Sequence, residues 1–274
     1  MKSRHIIFNL LLVMFLAQNI DAQDNNRQTI AQTTIDHVLG RSPSPLSQTD
    51  PEFMAIMNNF IYGDVWNSDT ILTDKQKELV TIVALVANQD PAGLTEHIGA
   101  ALHAGVTPVE VKEAVYQCAP YMGLSKVRNV LPVINKVFAE RGISLPLASQ
   151  ATVNELNRRE KGLDIQVQFF GEGMRQAYAN APEGQKHIQD YLSAMCFGDF
   201  YTRNGLDLKN RELLTFCMLA SLGGCEPQVK AHIHGNLNAG NNKETLVAAI
   251  TQILPYIGYP RTLNAIACIN EICK

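Results

Sequence analysis

The sequence is poor in charge and in aromatic side chains: charged residues make up 18% of its 274 positions and aromatic residues 7%, with a single tryptophan. The net charge of −3 and the absence of a basic stripe argue against nucleic acid as a partner. Beyond the N-terminus, no run is apolar for long enough to span a bilayer. These properties favour a globular protein with aliphatic cores and a small-molecule ligand.

The N-terminus has the order of a secretory signal peptide. Lys2 and Arg4 precede an apolar run over 6–17, and the small residue Ala22 offers a cleavage point. The run is too short to span a bilayer comfortably. We therefore expect residues 1–22 to be removed from an exported protein, periplasmic or secreted, with no membrane attachment afterwards; the alternative is a buried N-terminal helix.

An internal duplication is the most informative feature present. The paired motifs lie 135 positions apart, or 134 at the Glu78 and Glu212 block. A repeat of this length indicates a duplicated domain rather than a short solenoid unit. The predicted organisation is a polar segment over 23–49, a first domain over 50–142 (copy one), a linker over 143–162 and a second domain over 163–274 (copy two).

Helical signals recur throughout both copies. Thr73 with Gln76 and Thr107 with Glu110 form capping boxes, and Asp207 caps the helix corresponding to that after Thr73. Apolar residues follow at helical spacing, and alternation of period two is nowhere sustained. The sequence therefore predicts an all-α protein, with a short helix over about 26–39 and helices that end at Pro120 and Pro255.

The six cysteines do not indicate a disulfide framework. Cys118, Cys196, Cys217 and Cys268 each lie opposite an aliphatic residue in the other copy and are interpreted as small core residues. Cys225 differs, because it follows two glycines at a predicted helix start, where a thiol pKa is lowered. It is a candidate reactive thiol; the alternative is a small residue packed beneath a turn.

Each copy has a glutamate early in one helix and a histidine in the next. The pairs are Glu78 with His97 and Glu212 with His232. They could perform general acid/base chemistry, with the glutamate orienting the histidine; the alternatives are a helix-dipole charge and a structural histidine. His234 lies two residues from His232, so the two side chains point apart and no metal site is predicted.

Two arginines and three aromatic residues are candidate substrate contacts. Arg211 replaces Lys77, and a guanidinium can bind a carboxylate in a bidentate manner. For this reason copy two is the better candidate if one copy alone is active. Arg261 is a second candidate, and Trp66, Tyr121 and Tyr256 could line a pocket for a planar ligand, although aromatic residues more often form plain core.

The repeated motifs resemble the carboxymuconolactone decarboxylase family. In copy one they lie at 63–66, 72–81, 96–110 and 121–123, and copy two repeats the pattern at 198–200, 206–215, 232–240 and 255–260. The resemblance implies a helical bundle that oligomerises, and a tandem chain would form a trimer in place of a hexameric ring. It also implies either decarboxylation without a cofactor or, in the alkylhydroperoxidase D branch, peroxide reduction by a Cys-x-x-Cys pair.

The redox branch's cysteine pair is missing from both copies. Its positions correspond to Asp90 and Gly93 in copy one, and to Cys225 and Gln228 in copy two. Dithiol chemistry needs a resolving partner. The first hypothesis is therefore a cofactor-independent lyase acting on a small carboxylated lactone or related acid. The alternatives are a peroxiredoxin-like activity that uses Cys225 alone and a non-catalytic small-molecule-binding module.

Overall fold

The computed structural model describes residues 26–40, 44 and 46–274, and contacts divide the chain into two units at Asp69 and Thr70. The predicted signal peptide at 1–22 lies outside the described residues. All described elements are helical, as the sequence predicts, with no strand in this part of the chain. Among the same residues, none of the helices combines the length and apolarity that crossing a bilayer requires.

The first unit contains α1 (26–38), α2 (Leu46–Thr49) and α3 (Pro51–Asn58), which continues into a π-helical segment, Asn59–Val65. Helix α1 is the one predicted over about 26–39. Arg27 on α1 binds Asp64 through both of its carboxylate oxygens. A Cβ at Gly63 would lie 3.2 Å from the carbonyl oxygen of Arg27. The Gly-Asp motif therefore joins α1 to the π-helical segment.

The second unit begins with the helices of copy one. Their bounds are α4 (Asp74–Asn88), α5 (Pro91–His103), α6 (Pro108–Gln117), α7 (Ala119–Met122) and α8 (Leu124–Glu140). Both predicted capping boxes are present, at Thr73 before α4 and at Thr107 before α6.

The remaining helices belong mainly to copy two. They are α9 (Arg158–Phe170), α10 (Gly173–Asn180), α11 (Lys186–Tyr191), α12 (Leu208–Leu222), α13 (Glu226–Asn238) and α14 (Lys243–Ile272), with a π-helical segment at Leu192–Tyr201. Arg158 on α9 binds Asp199 in the π-helical segment, which repeats the Arg27–Asp64 pair of the first unit.

The prediction that helices end at Pro120 and Pro255 holds for Pro120, because α6 ends at Gln117 just before it, and is wrong for Pro255. Pro120 lies in the first turn of α7, and Pro255 lies within α14. Helical geometry is interrupted three residues further on, at Gly123 (φ 89°) and Gly258 (φ 77°). A positive φ is open to glycine without a Cβ penalty, so the glycines rather than the prolines produce the bend.

The two copies share one apolar core within the second unit. It runs from Leu72 to Ile269 and includes buried residues from both α4 and α12, which pack against each other. Equivalent residues meet at this contact: Gln76 Nε2 donates to Asn210 Oδ1 at 3.2 Å. The copies are therefore related by an approximate twofold axis that passes between α4 and α12.

The predicted domain boundaries and the predicted trimer stay predictions. Large apolar side chains are exposed at equivalent positions of the two copies, Leu124 with Tyr259 and Ile56 with Tyr191. An association between chains would remove such surface from water.

Candidate functional site

The predicted Glu–His pair of copy two lies inside the second unit. Glu212 is on α12 and is fully buried, and His232 is on α13 with its side chain 9% exposed. His232 Nδ1 lies 2.9 Å from Glu212 Oε2. Gly235 permits this approach, because a Cβ there would collide with Glu212 Oε2. The Glu212 carboxyl group therefore contacts Nδ1, and Nε2 is the ring nitrogen that faces away from the pair.

Two aromatic rings enclose the imidazole of His232. Tyr121 and Phe170 each approach it edge to face, with ring centroids 5.4 Å from that of the histidine. Within the described part of the chain, Nε2 makes no hydrogen bond. The rings thus fix the plane of the imidazole, while Nε2 has no hydrogen-bond partner among the described residues.

The hydroxyl of Tyr201 connects Glu212 to the opposite wall of the site. It donates to Glu212 Oε1 at 2.7 Å, lies 2.8 Å from Thr215 Oγ1 and accepts from the hydroxyl of Tyr121 at 3.1 Å. Burial raises the pKa of both Tyr121 and Tyr201 well above the usual phenol value. Both hydroxyls therefore stay protonated near neutral pH, and Glu212 has a hydrogen bond on each oxygen.

The pair of copy one has the same length and a different environment. His97 Nδ1 lies 2.9 Å from Glu78 Oε2, and both side chains are buried. His97 Nε2, however, lies 2.9 Å from the hydroxyl of Tyr256. Burial raises the pKa of Tyr256 as well, so this hydroxyl keeps its proton and donates a hydrogen bond to Nε2.

Glu78 is less well satisfied than Glu212. Its Oε1 is buried and has no hydrogen-bond partner among the described residues. Burial raises the pKa of its carboxyl group, and the neighbouring His97 only partly opposes that shift. In the sequence, the position equivalent to Tyr201 is Trp66.

Each histidine is faced by a tyrosine from the other copy. Tyr121 of copy one packs on His232 of copy two, and Tyr256 of copy two packs on His97 of copy one. The two tyrosines are equivalent residues, 135 positions apart. Two of the three predicted aromatic contacts are thus beside the histidines, whereas Trp66 is a buried residue of the first unit.

The interpretation of Arg211 as a carboxylate clamp needs correction. Arg211 is fully buried, with its Nη atoms bound to Gln117 Oε1, Glu113 Oε2 and the carbonyl oxygens of Arg203 and Asn204. The guanidinium faces protein acceptors on all these bonds, so it acts as an internal crosslink. Arg261 lies elsewhere, beside Gly223 and 3.4 Å from Asn88 Oδ1.

The environment of Cys225 is opposite to that expected. It precedes α13 without capping it, and its thiol donates to the carbonyl oxygen of Leu219 at 3.2 Å. Burial raises the pKa of this thiol instead of lowering it, and Glu226 adds to the shift. All six cysteines are free, in agreement with the absence of a disulfide framework.

Two further residues with notable contacts were not assigned a role from the sequence. Cys196, interpreted as plain core, lies with its Sγ 3.6 Å from the hydroxyl of Tyr121, and burial raises the pKa of its thiol to about 12. Glu113 binds Arg211 from α6. A signal for Glu113 was present, since it is a carboxylate on an apolar helix face where copy two has Ala248. In the described residues, no group of three or more His, Cys, Asp or Glu side chains could hold a metal ion.

Comparison with known proteins agrees with the resemblance found in the motifs. The chain is 26% identical over 123 residues to the 4-carboxymuconolactone decarboxylase of Acinetobacter baylyi, which covers 44% of this chain and 91% of that protein. It is 27% identical over 122 residues to a nitrosuccinic acid decarboxylase of Metarhizium robertsii, covering 43% of this chain and 85% of the relative.

A solved structure extends the likeness to the fold. A protein of Burkholderia xenovorans LB400, described as a gamma-carboxymuconolactone decarboxylase subunit, superposes with a TM-score of 0.52 at 20% identity, over 88% of this chain and 95% of that one. The model of the carboxymuconolactone decarboxylase family matches twice, at residues 51–136 and 186–271. Because these matches take up more than half of the sequence, the chain belongs to the carboxymuconolactone decarboxylase family as a tandem, all-α member.

Proposed function

We propose that the protein decarboxylates a small carboxylated compound at the Glu212–His232 site, without a cofactor. The observation that carries the proposal is the open Nε2 of His232, opposite an Nδ1 that Glu212 holds at 2.9 Å. The names of both relatives describe decarboxylases of small carboxylated compounds, which supports the reaction class.

The reaction needs a proton donor more than a nucleophile. Loss of carbon dioxide breaks a carbon–carbon bond and leaves its electron pair on the substrate as a carbanion or enolate, which takes up one proton. In the proposal, protonated His232 donates that proton from Nε2 and is then reprotonated from water. Glu212 stabilises the imidazolium and fixes the ring, while Tyr201 keeps Glu212 in place.

Release of carbon dioxide from purified protein tests the proposal. The first substrates are 4-carboxymuconolactone and nitrosuccinate, taken from the names of the two relatives, followed by other small carboxylated lactones and diacids. We expect His232→Ala to lower kcat by about 100- to 10,000-fold, as loss of a general acid does. His97→Ala is the matched control and leaves kcat within about threefold, because Tyr256 already occupies its Nε2.

Two outcomes would reject the assignment. A folded His232→Ala variant with wild-type kcat would remove the histidine from the chemistry. Tight binding of these compounds without release of carbon dioxide would instead identify a binding module. Circular dichroism of each variant separates loss of activity from loss of fold.

A further inference from the structure

A pocket in the second unit is lined by none of the residues of the two Glu–His pairs. It has a volume of about 380 Å³ and is bordered by α6, α8 and the segment 145–150. Its lining residues that matter here are Lys112, Glu113, Tyr116, Asn135 and Arg203. The volume falls within the range of small-ligand sites, towards its lower end.

Lys112 is an unusual member of this wall because it is only 6% exposed. Its ammonium group donates to Asn135 Oδ1 and lies 5.7 Å from the ring centre of Phe138 and 5.9 Å from that of Tyr116. Within the described residues, no carboxylate forms an ion pair with it. Burial without a counter-charge lowers the pKa of Lys112. A buried cation in this state is costly unless an anion compensates it.

The acidic residue of the wall does not supply that anion. Both oxygens of Glu113 accept from Arg203, at 2.9 to 3.1 Å, and its Oε2 also accepts from Arg211 at 3.0 Å. Glu113 is thus shared between two guanidinium groups, and the wall retains an excess of positive charge. The Nη1 of Arg203 donates no hydrogen bond in the described part of the chain and remains a donor for a ligand.

Apolar surface faces these donors. The pocket is also lined by the apolar residues Leu145, Pro146, Leu147 and Val109 and by the ring of Tyr116. The guanidinium of Arg203 lies 5.8 Å from the ring centre of Tyr116. A ligand therefore meets cationic donors at one end and apolar side chains along its body, which matches a carboxylate attached to a small ring.

We propose that this pocket is a second ligand site, which binds a small organic carboxylate of about one ring in size, with its carboxylate on Lys112 and Arg203 and its apolar body between Tyr116 and Leu145. The site is separate from the proposed decarboxylation, since neither Glu212 nor His232 lines it.

Binding of benzoate to the full-length protein tests the site, with benzamide as the uncharged probe of the same shape. Titration calorimetry is carried out on wild type, Lys112→Met and Lys136→Met. Methionine keeps the length of Lys112 and its packing on Phe138 while it removes the charge. Lys136 is an exposed lysine on α8, paired with Glu140, and is the matched control. We expect benzoate to bind wild type and Lys136→Met equally, Lys112→Met at least about tenfold more weakly, and benzamide not to bind.

His232→Ala separates this site from the proposed active site. Under the proposal it binds benzoate with wild-type affinity in the pocket, whether or not it has lost decarboxylation. Hydrogen exchange measured with and without benzoate locates the ligand without any variant: protection is expected at 108–117 and 145–150. No binding to wild type, equal affinity of Lys112→Met, or protection confined to α12 and α13 would each overturn the proposal.

Discussion

In copy two, the outer nitrogen of His232 has no hydrogen bond within the described residues, whereas in copy one the same atom of His97 lies 2.9 Å from the hydroxyl of Tyr256. The carboxylate oxygens show the reverse difference, with more hydrogen-bond partners in copy two than in copy one. Glu212 has a partner on each oxygen, but Oε1 of Glu78 has none among the described residues. In copy two, both oxygens of Glu212 thus have hydrogen-bond partners and Nε2 of His232 has none among the described residues. In copy one, Nε2 of His97 has a partner and Oε1 of Glu78 has none among the same residues.

The same Glu–His pair in both copies of a duplication therefore does not have the same hydrogen-bond environment. Both pairs have an Nδ1–Oε2 distance of 2.9 Å. Their difference comes from a third residue in each case, the Tyr201 hydroxyl on Glu212 and the Tyr256 hydroxyl on His97. Three predictions would break or sharpen this contrast.

The largest expected effect is on turnover after loss of each glutamate charge. Glu212→Gln lowers kcat by about 100-fold, because an amide cannot stabilise the imidazolium of His232. Glu78→Gln changes kcat by less than about threefold, since His97 is capped. Steady-state kinetics of the two variants beside wild type measures both effects. Equal losses in the two variants would mean that the copies act as equals.

A smaller effect is expected on stability when the tyrosine hydroxyls are removed. Tyr201→Phe leaves Glu212 Oε1 and Thr215 without their shared partner and should cost about 1–3 kcal/mol of unfolding free energy. Tyr256→Phe removes one bond to His97 and should cost about 1 kcal/mol or less. Urea unfolding measures both, with Tyr116→Phe on the pocket wall as a control for loss of a phenol oxygen. A Tyr256→Phe variant less stable than Tyr201→Phe would reverse the ranking.

The smallest effect concerns the pH dependence of stability. Burial raises the pKa of Glu78 in the folded state above its unfolded value. The folded protein therefore binds the proton more tightly, so the stability due to Glu78 is full below the unfolded pKa and is lost as pH rises through the folded one. Relative to Glu78→Gln, wild type should lose stability between pH 4 and pH 8. Thermal unfolding of the two proteins at both pH values measures the change, and a difference that grows in favour of wild type would contradict it.

Local sequence was sufficient for the parts of this molecule that depend on neighbours in the chain. The caps at Thr73, Thr107 and Asp207 are present as predicted, and each predicted glutamate faces its histidine on the next helix. Helix periodicity and capping chemistry act over a few residues, so one sequence reveals them.

The remaining features depend on contacts between distant residues. An arginine such as Arg211 can bind a carboxylate ligand, and this interpretation rested on its side chain alone. In the structure its guanidinium instead donates to Glu113 and Gln117, which lie 98 and 94 positions away in the sequence. In the same way, the raised thiol pKa of Cys225 reflects packing, whereas the helix start alone suggested a lowered one. Neither environment can be read from spacing.

The exchange of Tyr121 and Tyr256 between the copies has a consequence for how such a chain can evolve. Two separate copies would have to associate before either histidine met its tyrosine, and that encounter would depend on protein concentration. Joined in one chain, the partner is present at the high effective concentration that a short linker provides. Because the two halves of a fused duplication are encoded by different stretches of sequence, a substitution in one histidine site can leave the other intact. Covalent linkage therefore allows the two histidine sites to differ, whereas two identical subunits would have identical sites.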